Sequence, residues 1–528
     1  MKNYDVIIVG SGFGGAVNAC RLSEAGFNVL VLERGRRWTP ESYPRGEGDA
    51  WIWDQSQPEC CNGWIDLRIM DDMTVAQGAG VGGGSLIYAN ISVEAKPEAF
   101  KSGWPTQITY DELKPYYERV GKMLDVQTLP ENQLTERYKL MKEGAEKLGY
   151  GDRFRALPMA VSFSQEFSYD RPDPFNDTHS VKFTNQFGVE QGTCVHCGNC
   201  DIGCQVKAKN TLDLNYIARA EQLGAEVRPL HMVYNISQDR GRYTVHFHRI
   251  EDGELVAGFE TAERVILAAG SLGSTELLLR ARDQYRTLPG LSTFLGRNWS
   301  SNGDFLTPAT YANRKISPTH GPTITCAIDF LDGAVNGKEF FVEDGGFPNV
   351  LLDFLRRGAK GAKAKHRVLI KWLENLAFAK DPLGDVMPWF GQAVDAANGK
   401  LYLGRVWYAP WRHKLKLDWD VTRSEATVQA MVDMHIKLSE VTGGDASVPF
   451  TWTLLKNLVT PHPLGGCNMG TTAEDGVVNH AGEVFGYPGL YVADGAIVPR
   501  ALGLNPSRTI AALAERIAEH IVAASLVS

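Results

Sequence analysis

The sequence predicts an α/β, Rossmann-like nucleotide-binding domain assembled from separated stretches of chain, joined to an α+β domain with a mainly antiparallel sheet. Three observations lead there. A β-rich apolar run, Val6-Ile7-Ile8-Val9, ends directly in Gly10-Ser11-Gly12-Phe13-Gly14-Gly15. Strand-like segments that suit the same sheet recur far downstream, at 224–233 and 264–271. And 528 residues exceed what one hydrophobic core supports.

Composition narrows the class. Hydrophobic residues make up 44% and charged residues 22%, as in water-soluble globular chains. The 54 glycines suit a fold with many tight turns and close backbone approaches. A net charge of −8 without any basic run argues against nucleic acid as a partner. No window of about 18 apolar residues is present, so no membrane span is expected. The chain enters its first strand at once, without a basic and then apolar leader, so a cytoplasmic location is expected.

The first element is a nucleotide-binding unit. After the strand, Gly10 permits a tight turn, Gly12 lets the backbone approach a pyrophosphate, and Gly15 lets helix and strand pack closely. Ala16–Ala25 reads as the helix whose N-terminus favours the anion, and Gly26 ends it. Phe27–Leu32 is the next strand. Glu33, 23 positions after Gly10, stands where a carboxylate accepts from ribose hydroxyls.

A second glycine loop, Gly78-Ala79-Gly80-Val81-Gly82-Gly83-Gly84-Ser85, leads straight into apolar Leu86-Ile87-Tyr88. So many glycines point to backbone approach to a second large surface, which an isoalloxazine and its ribityl chain would supply. Residues 224–233 read as a strand that runs past an adenine, and 264–271 as a strand followed by a helix from Ser274.

Near the end stand Thr460-Pro461-His462-Pro463-Leu464-Gly465-Gly466-Cys467, then Gly489–Gly495, Gly503-Leu504-Asn505-Pro506-Ser507 and a helix over Thr509–Ala524. With the two glycine loops, these motifs resemble the glucose-methanol-choline (GMC) family of FAD oxidoreductases, most closely its cholesterol oxidase branch. The resemblance implies FAD as cofactor and a small-molecule alcohol as substrate. Hydride passes to flavin N5, and oxygen or another acceptor takes the electrons. His462 matches the catalytic histidine and Asn505 its partner. Gly10, Gly12, Phe13, Gly14, Gly15 and Glu33 match flavin-binding positions. So do Gly78, Gly80, Gly83, Ser85 and, downstream, Val233, Gly270, Asp494, Gly495, Asn505 and Pro506. Asp494 also suits a helix N-cap. One departure stands out: Tyr88 occupies the register where related oxidases carry asparagine, and the nearest asparagine is Asn90.

An imidazole titrates near neutrality and suits proton transfer, and Pro461 and Pro463 restrict the backbone around His462. The expected organisation places flavin-binding parts at 1–95, 191–300 and 456–528. A cap segment occupies 96–190 and the substrate-binding domain 301–455.

Within 301–455, Ile328–Phe330, Phe340–Glu343 and Lys400–Trp407 read as strands, and Leu369–Leu376 as an amphipathic helix. Aromatics are dense here, among them Trp372, Trp389, Phe390, Trp407, Tyr408 and Trp411. They suit a core or an apolar substrate cavity, a sterol being the leading substrate.

Cys194-x2-Cys197-x2-Cys200-x3-Cys204 has an iron–sulfur spacing. Gln205 replaces the usual proline, no second run exists, and a single cubane on the ferredoxin plan would recruit Cys60 or Cys61. Free thiols and local disulfides fit the same run, and no metal ligands are assigned. Lys207 and Lys209, just beyond it, read as solvated surface charges. Two other activities stay open: an iron–sulfur-assisted dehydrogenase using an acceptor other than oxygen, and a non-redox flavoprotein lyase.

Overall fold

The computed structural model describes residues 3–46, 48–70, 73–348, 384–406, 409–448 and 458–526. Its first domain is built on a five-stranded, fully parallel sheet. The order across it is Glu226–Arg228, β2 (Val29–Leu32), β1 (Val6–Val9), Arg264–Leu267 and Leu490–Val492. Every residue of β1 and β2 is buried, as their unbroken apolar runs require in a parallel sheet covered on both faces. Three distant stretches of chain thus share one sheet, the discontinuous domain that the sequence predicts.

Helix α1 (Phe13–Glu24) lies against the C-terminal helix Ser507–Ser525. The buried Glu515 carboxylate joins them. It accepts from Arg21 Nε at 2.7 Å and from the Tyr216 hydroxyl at 2.7 Å. Both helices begin earlier than their apolar periodicity suggests, because Phe13 and Ser507 already adopt helical backbone beside the cavity. The helix expected from Ser274 likewise starts at Gly270 and runs to Leu279.

The segment 224–233 is not one strand. Glu226–Arg228 pairs with β2, whereas His231–Asp239 opens a separate three-stranded antiparallel sheet with Arg242–Glu251 and Glu254–Ala262. Pro229 has no N–H to donate and Leu230 turns the chain at φ 59°, so the ladder breaks between them.

The second domain carries a six-stranded antiparallel sheet. Its order is Asp445–Ala446, Phe305–Thr310, Val386–Ala393, Phe340–Asp344, Cys326–Asp329 and Phe154–Ala156. The last strand comes from the segment 96–190, which therefore completes this sheet. Helices Glu136–Lys147 and Thr422–Thr442 pack on it. Along Val386–Ala393, side chains alternate: Trp389 is fully buried with its N–H on Ser439 Oγ, and Phe390 turns the other way. Lys400–Val406 is a strand, paired with Ala409–Asp418. Trp372, Leu369–Leu376, Trp407 and Tyr408 lie outside the described residues, as does the side chain of Trp411.

A small sheet joins the functional parts. Leu458–Thr460, two residues before His462, pairs in parallel with Met73–Gly78, the strand that runs into the second glycine loop.

Candidate active site

A cavity of about 830 Å³ runs between the two domains. Its floor is made by the glycine loops. Gly12 has open space where a Cβ would stand, apart from Gly83 and Gly84 at 3.8 Å and beyond. Gly83, at φ 53°, would place a Cβ 2.6 Å from the Gly12 Cα, so the loops meet only because Gly83 lacks a side chain. Gly14 and Gly15 serve packing: their Cβ atoms would strike Ala493 O at 2.2 Å and Gly10 O at 2.0 Å. No side chain caps the N-terminus of α1 at Gly12, which leaves its first N–H groups for an anion. Glu33 ends β2 with its carboxylate at the cavity. Oε2 accepts from the Ser11 N–H at 3.0 Å and hydroxyl at 2.7 Å, and Oε1 from the Gly35 N–H at 2.9 Å.

Asp494 caps in two directions. One oxygen accepts from the Gly270 N–H at 2.8 Å and from Ser274 Oγ, and the other from the Ala496 N–H at 2.8 Å. Burial pushes its carboxyl up to about 6, offset in part by these donors.

His462 lines the same cavity. Its Nδ1 lies 2.9 Å from Asp304 Oδ1, and its own N–H donates to Thr460 Oγ1 at 2.9 Å. Thr460 in turn donates to Asp304 Oδ2 at 2.5 Å. Asp304 is fully buried just before the strand Phe305–Thr310. Burial alone would push the imidazole down, but the adjoining Asp304 carboxylate outweighs it and pushes His462 up.

Asn505 also lines the cavity, and its Nδ2 lies 3.5 Å from Glu343 Oε2, which accepts from Gln392 at 2.9 Å. Asn505 Oδ1 and Glu343 Oε1 are buried without a partner. Burial pushes the Glu343 carboxyl up to about 8, so at neutral pH it is an uncharged acid. Asp304 and Glu343 carry no sequence motif; only the sheet register brings them to His462 and Asn505.

Of the residues singled out from sequence, Gly10, Gly12, Phe13, Gly14, Glu33, Gly78, Gly83, Val233, Gly270, Asp494, Gly495, Asn505 and Pro506 line this cavity with His462. Gly15, Gly80, Ser85 and Asn90 do not. Gly80 passes under Trp38, whose Cδ1 a Cβ would meet at 2.5 Å. Ser85 latches the loop, donating to Gly82 O at 2.8 Å and accepting from the Leu212 N–H at 3.1 Å. Asn90, at φ 69°, turns its amide to a second, smaller cavity. Lys209 corrects the surface expectation. It is 1% exposed, and Nζ donates to Leu86 O and Tyr88 O at 2.9 Å and to Cys200 O at 2.7 Å. Arg34, Arg68, Tyr234 and His248 line the cavity without having been legible as site residues.

Models of the GMC oxidoreductase family match residues 4–158 and 409–514. A cholesterol oxidase of Mycobacterium tuberculosis is 32% identical over 98% of this chain and 90% of its own. The chain belongs to the GMC oxidoreductase family. A cholesterol oxidase of Acinetobacter baumannii is 29% identical over 99% of this GMC oxidoreductase and 95% of its own length. In fold it is similar to pyridoxine 4-oxidase from Mesorbium loti, with TM-score 0.65 at 16% identity, over 98% and 99% of the two chains.

The family's cofactor is FAD, and the residues fit it. The uncapped start of α1 and the Gly12–Gly83 approach suit the pyrophosphate and ribityl chain, and Glu33 suits the ribose. Among the described residues no helix of this GMC oxidoreductase is long and apolar enough to cross a membrane.

Proposed function

We propose that this GMC oxidoreductase oxidises a bulky, apolar alcohol to a carbonyl, a sterol being the leading candidate. The observation that carries the reading is that His462 and Asn505 line one cavity, with Glu343 beside Asn505 and Asp304 engaged on His462 Nδ1. That contact leaves Nε2 as the ring nitrogen free to accept the hydroxyl proton, and the buried carboxylate stabilises the imidazolium that results. Asn505 holds the alcohol oxygen without adding charge. Bound FAD supplies the hydride acceptor at N5, and oxygen or another acceptor takes the electrons onward.

Leu306, Ile324, Phe347, Phe390 and Pro461 add apolar surface to the cavity, which suits a bulky, apolar substrate. The names of the similar proteins, cholesterol oxidases at 32% and 29% identity and a long-chain-alcohol oxidase of Arabidopsis thaliana at 23%, support an apolar alcohol.

Anaerobic titration of the FAD-loaded protein tests this. A 3β-hydroxysterol is expected to bleach the flavin, with long-chain and aryl alcohols weaker and sugars inactive. If no alcohol bleaches it, the oxidoreductase reading fails; if only sugars do, the apolar substrate class fails.

A further inference from the structure

The cysteine run takes no part in the site described above. The thiols of Cys194, Cys197, Cys200 and Cys204 are free, and all four line one small enclosed cavity, distinct from the large one. The chain turns back repeatedly to achieve this, with positive φ at His196, Gly198 and Gly203. Arg45 pins the last turn, donating to Ile202 O at 2.6 Å and Gly203 O at 2.7 Å.

Two features show that the space is furnished for something other than packing. Backbone donors point at sulfur: the His196 N–H at Cys194 Sγ, 3.4 Å, and the Ala208 N–H at Cys204 Sγ, 3.2 Å. And the Asn90 side chain, fully buried, faces the cavity with both its amide nitrogen and oxygen unpartnered. An unmatched buried amide is costly, and a bound polar group removes the cost.

The chemistry of the group follows from the donors. Among the described residues, no three or more His, Cys, Asp or Glu side chains form a group that could hold a metal ion as they stand, so the proposal rests on the number, spacing and shared cavity of the thiols. Four free thiols that line one cavity suit a polynuclear cluster in which several irons share the ligands. In two-cluster ferredoxins the fourth cysteine of such a run serves the other cluster. Here the fold returns Cys204 to the same cavity as its three predecessors. Cys60 and Cys61 are elsewhere, their sulfurs 3.8 Å apart on a surface loop.

We propose that Cys194, Cys197, Cys200 and Cys204 are the thiolate ligands of an iron–sulfur cluster. Its seat shares a wall with the flavin cavity: Tyr88 and Ala89 line the large cavity and Asn90 the small one. Lys209 fastens that wall to the cysteine run through Tyr88 O and Cys200 O.

The test is independent of any alcohol. The full chain, with FAD, is purified anaerobically from iron-replete cells and assayed for iron and acid-labile sulfide, before and after reconstitution with ferrous iron and sulfide. The expected content is about two or four of each per chain, with broad absorption beyond the flavin bands and an electron paramagnetic resonance signal in one oxidation state. Cys197→Ala and Cys204→Ala each lose at least about tenfold of the iron while keeping flavin absorbance, and a Cys60→Ala/Cys61→Ala double variant keeps it. Should an alanine variant fail to fold, the iron and sulfide content of the unsubstituted protein decides. Iron and sulfide absent both as purified and after reconstitution, in protein with full FAD, overturns the proposal. So does iron that is lost with Cys60 and Cys61 rather than with the run.

Discussion

The Asp304 carboxylate lies 2.9 Å from Nδ1 of His462, although 158 positions separate them. Asp304 leads into the central sheet of the second domain, and His462 follows the short strand that borders the second glycine loop. Their contact fixes the ring, decides which nitrogen is free, and lifts the pKa of the imidazole against the effect of burial.

Replacing Asp304 by Asn therefore acts on the pH profile. In the proposed mechanism His462 works as a base when neutral, so activity is expected to fall as pH drops through its raised pKa. Asp304→Asn removes the main opposition to burial, so the pKa falls and the acidic limb of kcat/KM moves to lower pH. The maximal rate falls by about tenfold to a hundredfold, because the imidazolium loses its counter-charge. A limb that stays in place would show that Asp304 does not set the ionisation of His462.

His462→Ala removes the proposed base and leaves the glycine loops intact. FAD content and melting temperature are expected to stay near those of the parent, while alcohol-driven flavin reduction slows by about a thousandfold or more. Stopped-flow measurement reads both. Unchanged reduction kinetics would refute the role of His462.

Glu343 is uncharged below about pH 8 because burial penalises its carboxylate. Glu343→Gln imitates that neutral form. It is expected to keep activity within about threefold at pH 7 and to lack the change in rate expected of the parent above pH 8, where a negative charge forms beside Asn505. Identical profiles for parent and variant would remove Glu343 from the site's pH response.

Gly83→Ala forces a Cβ to within 2.6 Å of Gly12 and onto a backbone at φ 53°. Flavin occupancy is the sensitive readout, and a loss of at least about tenfold in FAD affinity is expected. Gly48→Ala, with nothing within 4 Å of its Cβ position and no place on the cavity, is the control and keeps FAD.

Lys209→Met leaves the carbonyls of Leu86, Tyr88 and Cys200 without their shared donor. A loss of about 2 kcal/mol in unfolding free energy is expected, read by denaturant titration. A stability change within experimental error would mean that Lys209 does not fasten the loop.

The sequence by itself determined the parts whose function is local. A strand, a glycine turn, a helix start and a terminal acid follow one another within 33 residues, and their geometry is set by backbone sterics that glycine alone satisfies. His462 was legible for the same reason, because prolines and glycines around it form a contiguous motif. What depends on distant chain was not legible. Lys209 looks like a surface charge until the carbonyls of 86, 88 and 200 surround it. Asn90 belongs by sequence to the flavin loop, yet a left-handed backbone turns its amide to the cysteines. Asp304 and Glu343 are ordinary acids in ordinary strands; the antiparallel register of the second sheet sets them beside His462 and Asn505. The spacing of the four cysteines left a cluster, disulfides and free thiols open alike, and only the return of the chain at Gly203 brings all four to one cavity. Local backbone chemistry is written in neighbouring residues, whereas burial, pKa and the meeting of side chains arise only when separated stretches share one interior.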